Sequence, residues 1–296
     1  MNNIILIPPC DTYGDIFSII SMMYFLTKYY EKIFLLINTT NRSLIEYYLL
    51  YFSRSPLLNN KIFIIEKNNI STLLNQSEYG KFHVCDIFTG NWNSPSTILK
   101  NNNKINPKYY FNTENPLYKH LKIDNEYISY PNITLPLKTP EINHQVYYKL
   151  IGLNNNVRMN YFDYTRDLNM EDKVKKEIKQ RFNISENEKY NIIYTSVVEN
   201  PDLSKYIENT YKNINIHYLV KFPGWLFSLI EEAESIHLIE GNIVNFIYHC
   251  QYKKIININK DIYFHVWLRN RKFDYNLKNA WEMMTTPKLD NWTFIY

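Results

Sequence analysis

The sequence predicts an α/β protein with two domains, each built around a parallel sheet. Short apolar segments typical of buried strands alternate with helical segments in both halves of the chain, which is the pattern of parallel sheets. The length of 296 residues exceeds the usual size of a single domain. From 91 to 155 the alternation stops and proline and asparagine become frequent, so we place the domains at 1–155 and 156–296.

The first domain opens on an apolar strand at 3–8, followed by a loop and a helix with apolar periodicity at 16–30. Loops are expected from 91 to 155. The other predicted elements are strands at 32–37, 61–66 and 83–88 and a helix at 42–52.

The second domain repeats this alternation, which predicts a second parallel sheet. Its predicted helices are 170–182, 205–211, 224–234 and 243–250, and its predicted strands are 190–195, 214–219, 235–239 and 254–258. In such sheets the ligand site lies at the carboxyl ends of the strands, so we expect a site in a cleft that both domains face.

Composition excludes several classes of protein. Apolar residues make up 45% of the chain, which excludes a disordered protein, and a net charge of +4 is too small to indicate nucleic-acid binding. No apolar run approaches the roughly 20 residues that span a bilayer, and the chain starts in a strand without a basic leader, which predicts a cytoplasmic protein. Cys10, Cys85 and Cys250 stand apart from one another, so neither disulfides nor a structural zinc are expected.

The segment from 235 to 250 has the order strand, turn, helix. The turn Glu240-Gly241-Asn242 leads into a helix whose first backbone N–H groups have no partner within the helix, and these groups with the helix dipole suit a diphosphate. A strand, turn and helix in this order also form ordinary crossover connections that bind no ligand, and this interpretation is equally open. Since no G-x-G-x-x-G follows the first strand and no Walker A sequence occurs, a diphosphate is expected on the second domain.

Three segments of the chain match local patterns of a known family. In residues 232–248 (EAESIHLIEGNIVNFIY) the pattern is an IHLID strand that precedes a hydroxyl pair and an apolar helix. In residues 158–167 (RMNYFDYTRD) it is an aromatic segment before a linking helix, and in residues 262–292 (YFHVWLR, then TPKLDNW) it is a closing region YHxxAR…NW. At these three places the chain resembles GT-B glycosyltransferases, in particular sugar transferases of bacteria and giant viruses. Asn, Ile, Lys and Tyr are abundant, which is typical of proteins encoded by AT-rich genomes and is compatible with a low-GC bacterium or a large DNA virus.

This resemblance implies two Rossmann-like domains facing a cleft, with the acceptor on the first domain and the nucleotide sugar on the second. It implies transfer of a hexosyl or deoxyhexosyl group from a nucleotide-diphosphate sugar to a glycan hydroxyl. The chain has no clear D-x-D motif, so we expect neither a metal nor a cofactor. The first candidate for the base that takes the proton of the acceptor hydroxyl is Asp15, and the second is Asp11; alternatively, Asp15 is the cap of the helix at 16–30.

Donor binding is assigned to residues near the expected cleft. Arg158 and Arg166 would bind the diphosphate bidentately, although Arg166 has Asp167 and Glu171 as alternative ion-pair partners. Glu240 would accept ribose hydroxyls or serve only as a turn acid. The full set of predicted donor residues is Gly14, Arg158, Arg166, Thr195, Ser196, Glu240, Gly241, Asn242, His265 and Arg269.

The sequence departs from the family pattern at two of these places. Gly241 and Asn242 replace the hydroxyl pair, and Thr195 and Ser196 stand where relatives carry a histidine followed by acids. Two further functions therefore stay open: a sugar-nucleotide epimerase with the same twin-domain architecture, and a nucleotide-sugar-binding protein without turnover.

Overall fold

The computed structural model divides the chain into two compact units, Met1–Tyr164 and Thr165–Tyr296. The division lies between Tyr164 and Thr165, whereas the sequence placed it between residues 155 and 156. The side chains of residues 13–15 and 242 are not described. The structure describes residues 3–9, 13–37, 45–46, 49, 60–76, 81–87, 99–100, 102–112, 114–129, 147–195, 203, 206–207, 210–217, 219–239, 241–265 and 289–295.

The first unit contains a sheet of five described strands, all parallel, in the order β3-β2-β1-β4-β5. This is the strand order of a Rossmann sheet. The strands are β1 (Asn3–Ile7), β2 (Lys32–Ile37), β3 (Ile62–Glu66), β4 (Phe82–Asp86) and β5 (Ile105–Phe111). The helices are α1 (Tyr13–Ser18), α2 (Ile20–Leu26), α3 (Ile70–Asn75) and α4 (Asn155–Asn160), with 3-10 turns at Lys67–Asn69, Leu117–Lys119 and Asn125–Tyr127.

β1 is the central strand of this sheet, and its five residues, NIILI, suit that position. All five of its residues are buried, because the strand has neighbours on both sides and side chains packed on both faces. On one face, Ile5, Phe34 and Val84 from three adjacent strands belong to a single apolar cluster. The helix α3 contributes Ile70, Leu73 and Leu74 to the same cluster, so it packs on this face of the sheet.

Two predictions for the first unit were wrong. The segment 91–155 was expected to consist of loops, yet it contains β5, an edge strand in which Pro107 removes one backbone donor and the register with β4 shifts. The helix expected at 16–30 is interrupted at Ile19, whose φ of −103° and ψ of 3° separate α1 from α2. Neither proline nor glycine marks that break.

The second unit contains another sheet of five described strands, again parallel throughout. The sheet order is β10-β9-β8-β6-β7. The strands are β6 (Tyr190–Tyr194), β7 (Lys212–Asn215), β8 (Ser235–Ile239), β9 (Ile262–His265) and β10 (Trp292–Ile295). The helices are α5 (Leu168–Arg181), α6 (Phe227–Glu232) and α7 (Asn242–Tyr252), with a 3-10 turn at Pro223–Leu226.

Side-chain contacts show which face of this sheet the helices α6 and α7 cover. Tyr248 of α7 meets Trp292 of β10 edge to face at 5.8 Å, and Tyr190 of β6 donates from its hydroxyl to the carbonyl of Leu229 in α6 at 2.8 Å. The helices α6 and α7 therefore cover one face. Successive side chains of a strand lie on opposite faces, so Asn191 and His237 lie on the face that α6 and α7 do not cover.

Three predictions for the second unit were wrong. Residues 254–258 form no strand, because Lys254 has a φ of +56° that breaks an extended chain directly after α7. The strand of this region is β9, which the sequence analysis had assigned to the tail. Of the helix expected at 205–211, the described residues 206, 207, 210 and 211 are turns or bends.

The prediction of an α/β fold with a parallel sheet in each half is thereby confirmed. That the two halves face a common cleft stays a prediction. Within the part of the chain that the structure describes, no helix is both long and apolar enough to cross a membrane.

Candidate functional site

The carboxyl edge of the second sheet has a reversal of strand order. From β6 the chain goes to β7 on one side, and the next strand, β8, lies on the other side of β6. In open α/β sheets a ligand binds at such a reversal, outside the carboxyl ends of the two diverging strands. These ends are Tyr194 of β6 and Ile239 of β8. The topology therefore indicates a ligand site between these two strand ends.

Helix α7 begins at this same place. Its N-cap residue is Gly241, whose carbonyl accepts the first helical hydrogen bond from the backbone N–H of Val244 at 3.2 Å. Among the side chains that the structure describes, none caps the helix. The first N–H groups of an eleven-residue helix thus lie beside the carboxyl end of β8 and provide the positive end of its dipole.

Gly241 is in close contact with the ring of Tyr194. Its φ of 169° and ψ of 171° are those of an extended residue, so backbone conformation does not require glycine there. Space does: a β-carbon on Gly241 would lie 2.5 Å from Cε1 and 2.6 Å from Oη of Tyr194. The ring of Tyr194 therefore occupies the space next to the backbone of Gly241.

Polar and aromatic side chains tie the ends of β6 and β7 together. The ring of Tyr194 stacks on that of His217, with centroids 5.2 Å apart and an interplanar angle of 8°. Thr195, a predicted donor residue, accepts a hydrogen bond on Oγ1 from Nδ2 of Asn215 at 2.7 Å, and its carbonyl accepts one from Nδ1 of His217. These contacts order the edge next to the start of α7.

His265, another predicted donor residue, is the last residue of β9 and is 3% exposed. Its Nε2 lies 3.2 Å from Nδ1 of His237, and its ring packs against that of Tyr206 with centroids 5.1 Å apart. The structure therefore brings His265 to the carboxyl edge of the same sheet as Thr195 and Gly241.

Arg166 forms the ion pair that the sequence analysis gave as its alternative role. Its guanidinium donates from Nε and Nη2 to both carboxylate oxygens of Glu171, at 2.9 and 2.5 Å, and from Nη1 and Nη2 to both oxygens of Glu231, at 2.8 Å each. Burial opposes the charge, but the hydrogen bonds to Glu171 and Glu231 outweigh it and raise the pKa of Arg166. A diphosphate would have to displace two carboxylates, so the role of Arg166 in donor binding has no support from this geometry.

Arg158 belongs to the first unit and lies in its interior, 2% exposed. Its backbone carbonyl accepts a hydrogen bond from Oγ of Ser21 at 2.8 Å. Burial raises the pKa of Tyr148, an effect that the positive charge of Arg158 and hydrogen bonds to Ser21 and Met22 oppose. Its assignment to the diphosphate stays a prediction without geometric support.

The first unit holds the predicted base. Asp15 is the third residue of α1 and Gly14 the second, so both lie in the first turn of the helix that follows β1. Because α1 starts at Tyr13, Asp15 is inside the helix and is not the cap of a helix at 16–30. Asp11, Ser196, Glu240 and Arg269 lie outside the described residues, as does the side chain of Asn242.

Sequence reasoning missed Tyr194, Asn215 and His217 at the site. A usable signal existed: they lie at or just after the ends of β6 and β7, where parallel strands put their side chains on one edge. Among the described residues, no group of three or more His, Cys, Asp or Glu side chains is arranged to hold a metal ion.

A cavity of about 770 Å³ lies elsewhere in the second unit, next to α5 and the amino end of β6. Its lysines are already neutralised by acids: Lys175 and Lys179 both bind the carboxylate of Glu232, at 2.6 and 2.8 Å. Its volume lies within the range of ligand sites. Because it is at the amino ends of the strands and its charges are paired, we assign the site to the carboxyl edge instead.

Comparisons with known proteins give two similarities of structure. The chain is similar to a glycosyltransferase of family 9 from Veillonella parvula, with 10% identity over 89% of this chain and 80% of that one and a TM-score of 0.46. It is also similar to the ADP-heptose LPS heptosyltransferase II of E. coli, with 12% identity over 100% of this chain and 90% of that one and a TM-score of 0.44. No family model and no curated protein matches the chain. Because both TM-scores lie below 0.5, we base no conclusion on these two similarities.

Proposed function

We propose that this protein is a glycosyltransferase, which binds a nucleotide-diphosphate sugar at the carboxyl edge of the second sheet and transfers the sugar to a hydroxyl of a glycan. One observation carries the proposal: the N-terminus of α7 lies at the point where the strand order reverses between β6 and β8. The resemblance of residues 232–248 to sugar transferases supports it independently, because the resemblance covers β8 and the start of α7.

The reaction needs two kinds of group. The acceptor oxygen attacks the anomeric carbon of the sugar while the bond from that carbon to the diphosphate oxygen breaks, so negative charge collects on the diphosphate. Backbone N–H groups at the start of α7 would stabilise this charge without a metal. Asp15 in the first turn of α1 would take the proton of the attacking hydroxyl.

Asn242 allows a direct test of the N–H groups. It is the first residue of α7, a position where proline is compatible with a helix, and the extended Gly241 before it avoids the α conformation that is disfavoured before proline. Asn242→Pro therefore removes one donor from the site and leaves the helix intact. Hydrogen bonds to charged groups contribute about 1.5–3 kcal/mol, so we expect the Kd of the bound nucleoside diphosphate to rise about tenfold or more.

Asn155→Pro is the matched control. Asn155 is the first residue of α4 in the first unit and follows Asn154, which is extended with a φ of −106° and a ψ of 178°. The same substitution in the same helical position should leave nucleotide affinity unchanged. Equal loss of affinity in both variants would refute the assignment of the site to α7.

Ligand and product measurements separate the three functions. UDP, GDP, ADP, CMP and their sugar conjugates are first screened by thermal shift, where a ligand at 100 times its Kd stabilises by about 2.7 kcal/mol. The best nucleotide sugar is then incubated with glycan acceptors. A transferase releases nucleoside diphosphate only when an acceptor is present, an epimerase changes the sugar without release, and a binding protein leaves the ligand as it was.

A further inference from the structure

The first sheet has a reversal of strand order of its own, between β1 and β4. From β1 the chain goes to β2 and β3 on one side, and the next described strand, β4, lies on the other side of β1. The carboxyl ends of these two diverging strands are Ile7 and Asp86, which are paired directly in the parallel ladder. Because ligands bind outside such strand ends in open α/β sheets, the topology indicates a second ligand position, and Asp86 lies at it.

The carboxylate of Asp86 is oriented by a buried tyrosine. Oη of Tyr110 in β5 donates to Oδ2 of Asp86 at 2.5 Å. Tyr110 is 5% exposed and belongs to the apolar cluster that also contains Ile7 and Val84, so its ring is fixed by packing. Asp86 itself is only partly buried, whereas the four residues before it in β4 are buried. The end of β4 therefore has an acid that is oriented from the core and partly accessible to solvent.

The tyrosine does not exhaust the hydrogen-bonding capacity of this acid. An ionised carboxylate has two oxygens that together accept about four hydrogen bonds. Asp86 has another interaction within the protein besides the bond from Tyr110, and a carboxylate can accept from both and from a ligand at the same time. Asp86 can therefore bind a ligand without giving up the contact that orients it.

A carboxylate selects the kind of ligand that it binds. Because it only accepts hydrogen bonds, its partner must donate one, which favours a hydroxyl or an ammonium group and disfavours a phosphate. A positive charge is already near: Nζ of Lys100 lies 5.1 Å from the centre of the Tyr110 ring. This charge would repel a second cation, so a neutral hydroxyl is the better match. The reversal in the second sheet, at the start of α7, suits an anion instead.

We propose that Asp86 binds a hydroxyl group of the glycan acceptor, and that Tyr110 is the positioning residue that orients its carboxylate. This role rests on the proposed function, because that function requires an acceptor. Asp15, in the first turn of the helix after β1, would take the proton of the attacking hydroxyl. Asp86, at the end of β4, holds another hydroxyl of the same sugar and takes no proton. The two acids thus have different tasks in the same unit.

Asp86→Asn tests binding separately from chemistry. The amide has the shape of the carboxylate and can still accept from Tyr110 on Oδ1, but it has no charge and presents an N–H₂ group at the second position. Methyl glycosides of glucose, galactose, mannose and N-acetylglucosamine serve as acceptors, and the nucleotide sugar that binds best serves as donor.

We expect the KM of Asp86→Asn for the best methyl glycoside to rise about tenfold or more, because a hydrogen bond to a charged group is lost. The kcat and the Kd of the nucleotide should stay near their wild-type values, since a bond that is equally strong in the ground state and the transition state affects KM only. A fall in kcat of about 10²-fold or more at unchanged KM would make Asp86 the base and overturn the proposed role.

Glu66→Gln is the matched control. Glu66 is the last residue of β3, so it lies at the same carboxyl edge of the same sheet but two strands away from β1. The same change of an acid to its amide should leave the KM for the methyl glycoside unchanged there. An equal rise of KM in Glu66→Gln would mean that any charge along this edge has the effect, and would refute a hydroxyl site at the reversal.

Deoxy acceptors identify the hydrogen bond and test Tyr110. Methyl glycosides that lack one hydroxyl at a time are compared in wild type, Asp86→Asn and Tyr110→Phe. Wild type should discriminate against one deoxy form, and Asp86→Asn should lose most of this discrimination. Tyr110→Phe, which leaves the carboxylate able to turn, should lose part of it. If Tyr110→Phe unfolds at lower urea concentration but discriminates like wild type, the hydroxyl serves stability only and Tyr110 is not a positioning residue.

The double variant Asp86→Ala/Tyr110→Phe covers the case in which a single variant does not fold. It removes both partners of the bond, so no buried hydroxyl is left without its acceptor, and stability should stay close to that of wild type. It should lose the discrimination between the methyl glycoside and its deoxy form. Retained discrimination in this variant would overturn the role of Asp86.

Binding measured without turnover separates the failure of this role from the failure of the proposed function. Saturation-transfer NMR detects the methyl glycosides on the protein whether or not a sugar is transferred. If wild type transfers sugar and Asp86→Asn binds every methyl glycoside as wild type does, the role of Asp86 is wrong and the proposed function stands. A wild type that binds nucleotide but none of the glycosides also overturns this role. If no nucleotide binds to wild type, the proposed function is wrong, whatever the glycosides do.

Discussion

The ring of Tyr194 lies against the backbone of Gly241 so closely that no other residue fits at position 241 without movement. A β-carbon there would be 2.5 Å from Cε1 of the tyrosine, well inside van der Waals contact. The contact joins the end of β6 to the start of α7, the two elements that form the proposed site. Any substitution that moves the ring should therefore change both stability and ligand binding.

Gly241→Ala should destabilise the protein by about 1–3 kcal/mol, because an extra carbon in a tightly packed place forces a shift of the ring. In a Tyr194→Ala background the alanine at 241 should cost almost nothing, since the ring is absent. Urea unfolding of the two single variants and the double variant gives the coupling energy directly.

Gly152→Ala serves as the comparison for this cycle. Gly152 has a φ of +80°, and a β-carbon there would lie 2.6 Å from Pro116 and 2.7 Å from the ring of Tyr118. Gly152→Ala should lower the free energy of unfolding by the same amount in the wild-type and Tyr194→Ala backgrounds, because the contacts of Gly152 all lie in the first unit. A Gly241→Ala penalty that is equally insensitive to position 194 would contradict the contact with Tyr194.

Arg166 and Glu171 should be more important for stability than for binding. Glu171 is fully buried, and besides Arg166 it accepts hydrogen bonds from the backbone N–H and the hydroxyl of Ser228, at 3.1 and 2.8 Å. Arg166→Met leaves that carboxylate buried without its cation, which typically costs about 3–5 kcal/mol. We expect unfolding of Arg166→Met at correspondingly lower urea concentration.

The double variant Arg166→Met/Glu171→Met tests the reason for this loss. Because it removes the buried charge together with its partner, it should be less destabilised than Arg166→Met alone. Nucleotide affinity should be unchanged in every variant that remains folded. If Arg166→Met were to lose nucleotide binding while keeping wild-type stability, the arginine would be a donor residue as the sequence suggested.

Elements with strong local patterns could be predicted from the sequence, and those defined by distant contacts could not. β2 (Lys32–Ile37) and β8 (Ser235–Ile239) were predicted with the observed boundaries, because each is a short apolar run bounded by polar residues. β5 was missed, since an edge strand with Pro107 and exposed residues lacks that pattern. β10 was missed because only its pairing with β9 makes Trp292–Ile295 a strand.

The same distinction applies to the candidate site. The turn at Gly241 was predicted because strand, turn and helix follow one another in the chain. The contact of Gly241 with Tyr194, the hydrogen bond from Asn191 to Asn213 and the 3.2 Å approach of the rings of His237 and His265 could not be predicted, since each joins residues that are far apart in the sequence. Strand order must be known before alternating residues such as Asn191 and His237 can be assigned to neighbouring positions on one face.

His83 should make the stability of the first unit depend on pH. Its Nδ1 forms a hydrogen bond of 3.0 Å with the hydroxyl of Tyr30, and its ring stacks on that of Tyr109 with centroids 4.1 Å apart. Burial, assisted by the neighbouring His120, lowers the pKa of His83 to about 4 from an ordinary 6.5. Between these two values the unfolded chain binds a proton that the folded protein does not, so stability falls as the pH is lowered from 6.5 to 4.

His83→Asn should reduce this dependence of stability on pH, because an amide can form a hydrogen bond with Tyr30 but does not titrate. Urea unfolding of wild type and variant at several pH values between 4 and 7 gives the difference in slope, in which the carboxylates common to both proteins cancel. His237, whose burial also lowers its pKa to about 4, contributes in the same window, so His83→Asn/His237→Asn should be flatter than either single variant. Identical slopes in wild type and His83→Asn would exclude a buried neutral histidine at position 83.

Asp15→Asn tests the proposed base, provided that its effect on kcat is measured separately from its effect on stability. As the third residue of α1, Asp15 also lies where a negative charge interacts favourably with the helix dipole, so some loss of stability, about 0.3–1 kcal/mol, is expected in any case. A base should contribute far more to the rate: loss of proton transfer typically lowers kcat by about 10²–10⁴-fold, while the Kd of the nucleotide is unchanged. Asp172→Asn, which removes a half-exposed acid paired with Lys176 on α5, should leave turnover intact and serves as the control. If Asp15→Asn retains the wild-type kcat, the proton is taken by another group, and Asp11 is the next residue to substitute.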